Sequence, residues 1–399
     1  MQLFPIGKVY DFMGRRRIFV GLSTVMVALA IVMFFLPAPR GPKLGTDFVG
    51  GTEVELAFLK PVSPAQIQAA VEKADFSRPD VIRVKDDNNA HRFLIRVQEV
   101  SSIPEAQQRE IQSRLCFGEN VGKACAAHLS EEVKFSPGGE KITIRFESAP
   151  DLSWVREQFD GLEGIVLRSG ENNPSLQDVR DNRVEVALMS RGDQLMDTLR
   201  ANLAEGSVPD AALRTEWIGP KAGAQLRNAA TKSILIALVF IMAYVAFRFD
   251  MRFAPGGVIA LIHDSVVTVG ILVLLGRELN LTTVAAVLTI IGYSVNDTVV
   301  VYDRVRENLG KLRGRSFADL INVSISEMLS RTVLTSGTTI MVMVCFFIWG
   351  TGTLRDFALT LIIGMVLGTY SSIYIALPLT DYIDKKFFTK GKTVARKAT

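Results

Sequence analysis

Histidine and cysteine are scarce. Only three of each occur in 399 residues: His91, His128 and His263, and Cys116, Cys125 and Cys345. So few of them offer no nucleophile–base pair and no metal-ligand cluster, and the chain has no phosphate loop. No cofactor, metal or covalent catalysis is expected. Charge is absent from long stretches. Residues 18–36 hold no ionisable group in 19 positions, and 332–354 and 357–380 are uncharged for 23 and 24. Runs of about 20 residues match a hydrocarbon core of roughly 30 Å. A soluble cytosolic enzyme is excluded.

What is present is 48% hydrophobic residues with a mean hydropathy of +0.25, gathered into six candidate spans. These are 18–36, 229–247, 253–276, 279–302, 332–354 and 357–380. The second is the weakest, with only 15 uncharged residues after Lys232, and that lysine can snorkel to the interface. With a cytoplasmic N-terminus, residues 1–17 place Lys8, Arg15, Arg16 and Arg17 inside. Arg248, Arg252, Arg304, Arg306, Lys311 and Arg315 then also lie inside, as does the basic tail 381–399. The short outer connections keep only Arg277 and Arg355, so the positive-inside rule is met. Both termini are expected in the cytoplasm and residues 37–228 outside it. The first span reads as a retained anchor, because a cleaved signal peptide would break this alternation. Net charge is +4, but the surplus sits beside the apolar runs and gives no reason to expect nucleic acid.

Cys345 reads as a small apolar residue in the fifth span. Cys116 and Cys125 lie in the exported segment, where two readings stand, a local disulfide or two free thiols. A metal site there is disfavoured, His128 being the sole nearby partner. The exported segment opens as strand–helix–strand–strand: Thr52–Phe58, a helix from Ser63 and Pro64 to Ala74, Val81–Lys85 and Arg92–Glu99. Further strands are predicted at 141–146, 164–169, 183–189 and 213–218, with a helix at 192–203. The mixture predicts an α+β sandwich that binds or handles a partner.

Ionisable groups inside spans are costly and therefore informative. Asp264 lies midway along the third span and Asp297 in the fourth, while Arg331 opens the fifth. Ser294 shares a helix face with Asp297, and Ser294 and Asn296 are expected to support its carboxylate. A carboxylate and a guanidinium so placed can alternate between protonated–unpaired and ionised–paired states. The bland alternative is a structural ion pair or interfacial charge. Gly364 and Gly368 form a small-xxx-small pair that lets helices approach.

The chain resembles the SecF family, the smaller membrane subunit of the bacterial SecDF complex. The resemblance is carried by LGTDFVGGTEVEL (44–56), WIGPKAGAQLRNAA (217–230), AFRFDMRFAPGGVIALIHDSVVTVGILVLL (246–275), NLTTVAAVLTIIGYSVNDTVVVYDRVREN (280–308), LINVSISEMLSRTVLTSGTT (320–339) and GTYSSIYIALPL (368–379). It implies half of a resistance–nodulation–division (RND) transporter, completed by SecD. It also implies a ferredoxin-like exported domain in the periplasm and residence in the bacterial inner membrane. The family's proton-pathway carboxylate falls on Asp297, its functionally important arginine on Arg331, and a retained acidic position on Asp264. Implied partners are SecD, the SecYEG channel, YajC, YidC, unfolded preprotein and membrane lipid, with the proton motive force driving late export. The exported domain here is nearly twice the family's usual size, with the excess placed at about 100–181.

Two rivals stand beside this. An RND-type exporter of small molecules or lipids would need twelve spans and two exported domains. An intramembrane protease would need catalytic aspartates in a GxGD context, which neither Asp264 nor Asp297 has.

Overall fold

The computed structural model describes the chain from Phe4 to Thr389, except residues 6, 38–40, 74–75, 77–78, 85–90, 100–102, 118–128, 137, 163–164, 169–171, 250, 313 and 351. Two units form: Thr46–Gln225, and the residues up to Gly45 together with those from Leu226. The first helix, α1 (Arg16–Phe35), carries the first apolar run. After it β1 (Lys43–Leu44) belongs to the membrane unit.

The Thr46–Gln225 unit begins with α2 (Thr46–Val49), β2 (Gly51–Ala57), α3 (Pro64–Glu72), β3 (Asp80–Arg83) and β4 (Arg92–Val97). Gly51 is required where β2 starts. Its φ is +135°, and a Cβ there would sit 2.5 Å from the Val97 carbonyl oxygen. Ser63 caps α3 in a capping box with Gln66, behind Pro64. Lys85 and Ala74, expected ends of a strand and a helix, lie outside the described residues.

Six elements follow: α4 (Glu105–Arg114), β5 (Ser130–Phe135), β6 (Lys141–Phe146), α5 (Leu152–Glu157), β7 (Ser175–Asp178) and β8 (Arg183–Ala187). Then come α6 (Arg191–Asn202) and β9 (Arg214–Ile218). The strands make two antiparallel sheets, β3-β4-β2-β9 and β5-β6-β8-β7. The first sheet with α3 and α6 has the βαββαβ order of a ferredoxin-like fold. Val54, Leu56, Phe93 and Ile95 meet Ile67, Leu195 and Leu199 in its core. Its other face is charged. Glu53 and Glu55 on β2 take ion pairs from Arg96 and Arg92 at 2.6 and 2.7 Å, so both acids are buried as well.

The second sheet is inserted between β4 and α6, with its own core of Ile111, Val155, Phe159, Ile142, Ile144, Val184 and Val186. The insertion therefore runs past 181, because β8 pairs with β6 and β7. Of the expected strand at 164–169, the described residues 165–168 form one bridge, Leu167 to Leu188, and residues 164 and 169 lie outside the described residues. Cys116 is disulfide-bonded, whereas Cys125 lies outside the described residues.

In the membrane unit come α7 (Pro220–Arg248), α8 (Ala254–Leu274), β10 (Glu278–Leu279), α9 (Leu281–Lys311), α10 (Phe317–Trp349) and α11 (Gly352–Ser371). A π-helical turn, Ser372–Ala376, leads into α12 (Leu377–Ile383). Six described helical segments are long and apolar enough to span a membrane. Two outrun their apolar stretches. The helix α9 continues past Tyr302, and α10 starts at Phe317, so Arg331 lies inside α10 rather than opening it. Beyond the apolar zone these extensions are joined by Arg304 and Asn308 to Glu327, at 2.6 and 2.8 Å. β1 pairs in parallel with β10. The N-terminal segment is fixed to α10 by Asn322, whose side-chain oxygen accepts the Phe12 and Met13 amides at 3.0 and 2.9 Å.

Candidate proton-coupling site

Helices α8, α9 and α11 form the buried centre of the membrane unit, and glycine lets two of them meet. A Cβ on Gly364 would lie 2.1 Å from Ile290 Cδ1, and one on Gly368 would lie 3.1 Å from Ser294 Cβ. The small-xxx-small pair on α11 is thus a seat for α9, one turn of one against one turn of the other. Ile290 and Ser294 are four residues apart, as Gly364 and Gly368 are, so the seat fixes the register between the two helices.

That register brings two carboxylates within reach of hydroxyls. Asp264 on α8 is 0% exposed. Its Oδ2 accepts from Ser294 Oγ at 2.6 Å and from Ser371 Oγ at 2.7 Å. Its Oδ1 lies 3.0 Å from His263 Nδ1. Asp297 on α9 is 8% exposed. Its Oδ2 accepts from Ser336 Oγ on α10 at 2.9 Å and from Thr369 Oγ1 on α11 at 3.5 Å. Thr369 Oγ1 also lies 2.9 Å from Ser336 Oγ, so its single proton is shared between the two acceptors. Hydroxyls suit this position, since each can donate to an ionised carboxylate and turn to accept from a protonated one.

The structure rearranges the expected partnerships. Ser294 does share a face with Asp297, yet its hydroxyl goes to Asp264. Asn296 is exposed. Arg331 is exposed too. It lines an open groove of about 390 Å³ with Tyr244, Arg248, Asp303, Arg304 and Glu307, and Asp297 does not border that groove. Among the described residues no ion pair joins Arg331 to Asp297.

Several participants escaped the sequence reading: His263, Ser336, Thr369 and Ser371. The available signal was the bunching of small hydroxyl residues in otherwise apolar runs, TSGTT at 335–339 and GTYSS at 368–372. A buried anchor was also missed. Asp381 is 2% exposed and takes ion pairs from Arg16 and Lys385, both at 2.7 Å. Beside it, Tyr302 is fully buried, its hydroxyl 3.1 Å from Thr380 Oγ1.

Comparison with known proteins gives a consistent set of relatives. Residues 201–386 match the family model for the C-terminal region of the protein export membrane proteins SecD and SecF. Protein translocase subunit SecF of Koribacter versatilis is 31% identical over 390 residues, 95% of this chain and 92% of that one. The SecF subunit of Vibrio alginolyticus is 40% identical over 248 residues, covering 61% of this chain and 76% of its own. Among solved structures, that of SecDF, a translocon-associated membrane protein from Thermus thermophilus, superposes with a TM-score of 0.65 at 26% identity over 96% of this chain. SecDF in a super-membrane-facing form gives 0.56 at 28% identity over 99%. The chain spans 40% and 41% of those two solved chains.

Proposed function

Since the chain belongs to the SecF family of protein translocase subunits, we propose that it joins a SecD-type partner and uses the proton motive force to promote late preprotein export through the SecYEG channel. The observation that carries the proposal is the pair of carboxylates at the centre of the bundle, each within a tenth of full burial and each held by hydroxyls from neighbouring helices. Burial makes an ionised acid costly, and hydroxyls make either protonation state satisfiable. Proton entry and exit at Asp297 and Asp264 then alter which hydroxyls donate, and hence how α9, α10 and α11 pack.

In this reading both termini face the cytoplasm, and the two-lobed Thr46–Gln225 domain lies in the periplasm. There it holds the emerging preprotein while the membrane helices change state. Arg331 acts from the groove it shares with Asp303, meeting the proton path only in the second helix arrangement. The work comes from differential stability of two protonation-linked conformations, with no covalent step. The driving force is about 2.3 kcal/mol per charge per 100 mV, plus about 1.4 kcal/mol per pH unit.

The deciding experiment is Asp297→Asn in the assembled complex, in membrane vesicles with and without a proton gradient. Loss of the gradient-dependent increment in preprotein completion is expected, with expression and co-purification of the partner unchanged. An increment of wild-type size in that variant rejects the proposal.

A further inference from the structure

One buried titratable group has no task in the scheme above. His263 is 5% exposed and sits beside Asp264 on α8. Nδ1 faces Asp264 Oδ1, whereas Nε2 is buried and meets no hydrogen-bonding partner among the described residues. The environment of Asp264 decides the tautomer. Oδ2 already receives two hydroxyls, a donor set suited to an ionised carboxylate, so Nδ1–H donates to Oδ1. A neutral ring then presents a bare lone pair at Nε2 rather than an N–H. An unmet acceptor is the less costly of the two to bury.

Charge balance points the same way. Among the described residues the imidazole is the ion-pair partner that Asp264 has, and a buried carboxylate without a counter-ion is strongly unfavourable. Several other charged groups on the elements packed against α8 are engaged elsewhere, and Arg17 on α1 and Asp303 on α9 are exposed. Arg16 and Lys385 pair with Asp381, Arg304 pairs with Glu327 and Glu307, and Asp297 is held by Ser336 and Thr369. The Tyr302 hydroxyl meets Thr380. Tyr370, with its ring centroid 6.4 Å from the imidazole, donates to the Phe19 carbonyl at 2.7 Å and lies 2.9 Å from Ser23 Oγ.

We propose that His263 Nε2 is a proton-binding atom of the membrane bundle, with Asp264 as its counter-ion. A proton arriving at Nε2 turns a net-negative pair into a neutral imidazolium–carboxylate pair, and Ser294 and Ser371 keep the carboxylate in place through the change. This rests on the proton-coupled reading and places the proton of the Asp264 site on the imidazole, the carboxylate staying ionised.

Solid-state nitrogen NMR tests it on the full chain, reconstituted with its SecD-type partner and ring-labelled at histidine in this chain only. His91→Gln and His128→Gln leave His263 as the single labelled ring. On acidification the Nε2 resonance is expected to move reversibly from the bare-nitrogen to the protonated position. In Asp264→Asn the protonated resonance should be lost. A resonance that holds one position throughout overturns the proposal and does so without any variant at 263. Transport separates the two readings. Loss of gradient-driven export in Asp297→Asn with a static His263 removes the histidine alone. A titrating His263 with full export in Asp297→Asn keeps the histidine and removes Asp297 from the path.

Discussion

Gly364→Ala is the sharpest probe of the seat that aligns α11 with α9. The added methyl would lie 2.1 Å from Ile290 Cδ1, 2.4 Å from Cγ1 and 2.8 Å from Cγ2. Ordinary carbon contacts need about 3.5–4.0 Å, so Ile290 must move by more than an ångström. It has little room, being 1% exposed and packed with Ala286, Leu361 and Met365. Overpacking of this kind costs about 1–3 kcal/mol, against about 1 kcal/mol returned by replacing glycine in a helix. The single variant should therefore lose up to about 2 kcal/mol. Ile290→Ala alone should cost about 2–5 kcal/mol through its cavity, and in the double variant the new methyl enters that cavity. The double variant should be more stable than the sum of the singles by about 1–3 kcal/mol. Reversible unfolding in mixed micelles, followed by circular dichroism, measures the cycle. Additive singles would refute the seat, and with it the claim that one glycine pair sets the register of both carboxylates.

Two further predictions concern other links in the chain. Ser371→Ala removes a donor to Asp264, while Ser372→Ala removes only a bond to the Thr369 carbonyl; gradient-driven export should fall in the first and hold in the second, as measured in vesicles. Asp193 joins the N-terminus of α6 to Arg168 on the inserted lobe. Burial pushes its carboxyl up, but the Arg168 bond and the Ser190 bonds outweigh this and hold it below its ordinary value of 3.8. Its contribution is thus present above the ordinary carboxylate range and is lost as pH falls toward the lowered folded value. Both side chains of that pair are about a third or more open to solvent, so screening leaves the cap as the main loss in Asp193→Ala, about 1–2 kcal/mol at neutral pH. Hydrogen exchange of the α6 amides should quicken about 5–30-fold at pH 7. The difference should narrow in acid.

The spans were legible because a hydrocarbon core demands about 20 residues without charge, a pattern that water-facing chain seldom sustains. Their ends were not. After Tyr302 the chain reads DRVRENLGK, which is polar yet remains helical because Arg304 and Asn308 find Glu327 on α10. The ferredoxin-like strands showed in alternation, and the start of α3 in its serine and proline. The inserted lobe was harder. The sequence of α4, EAQQREIQSR, buries only Ile111, and β7, SLQD, is an edge strand with no buried face. GIVLRS has strand composition, but among its described residues the pairing is confined to a single bridge at Leu167, flanked by backbone bonds from Arg168 to Ala187 and from Met189 to Val166. Ser294 illustrates the limit at the site itself. Helical spacing correctly puts it on the face of Asp297, but which neighbouring helix supplies its acceptor depends on packing, and α8 supplies Asp264.

That outcome makes α11 the element that reads both acids. It carries no charge after Asp356, yet Thr369 reaches Asp297 and Ser371 reaches Asp264. Under the proton-coupled reading, each hydroxyl bond to an ionised acid is worth about 1.5–3 kcal/mol, and a neutral one about 0.5–1.5 kcal/mol. Protonating one acid therefore weakens its two hydroxyl bonds by about 2–3 kcal/mol together. One proton falling through 100 mV and one pH unit supplies about 3.7 kcal/mol, enough to exchange the hydroxyls of one site. The π-helical turn at Ser372–Ala376 lies directly after them, and the far side is clamped by Arg16 to Asp381 and by Tyr302 to Thr380. A shift of α11 would accordingly be absorbed at that turn and passed sideways through Thr369 and Ser336 to α10, the helix that also carries Arg331.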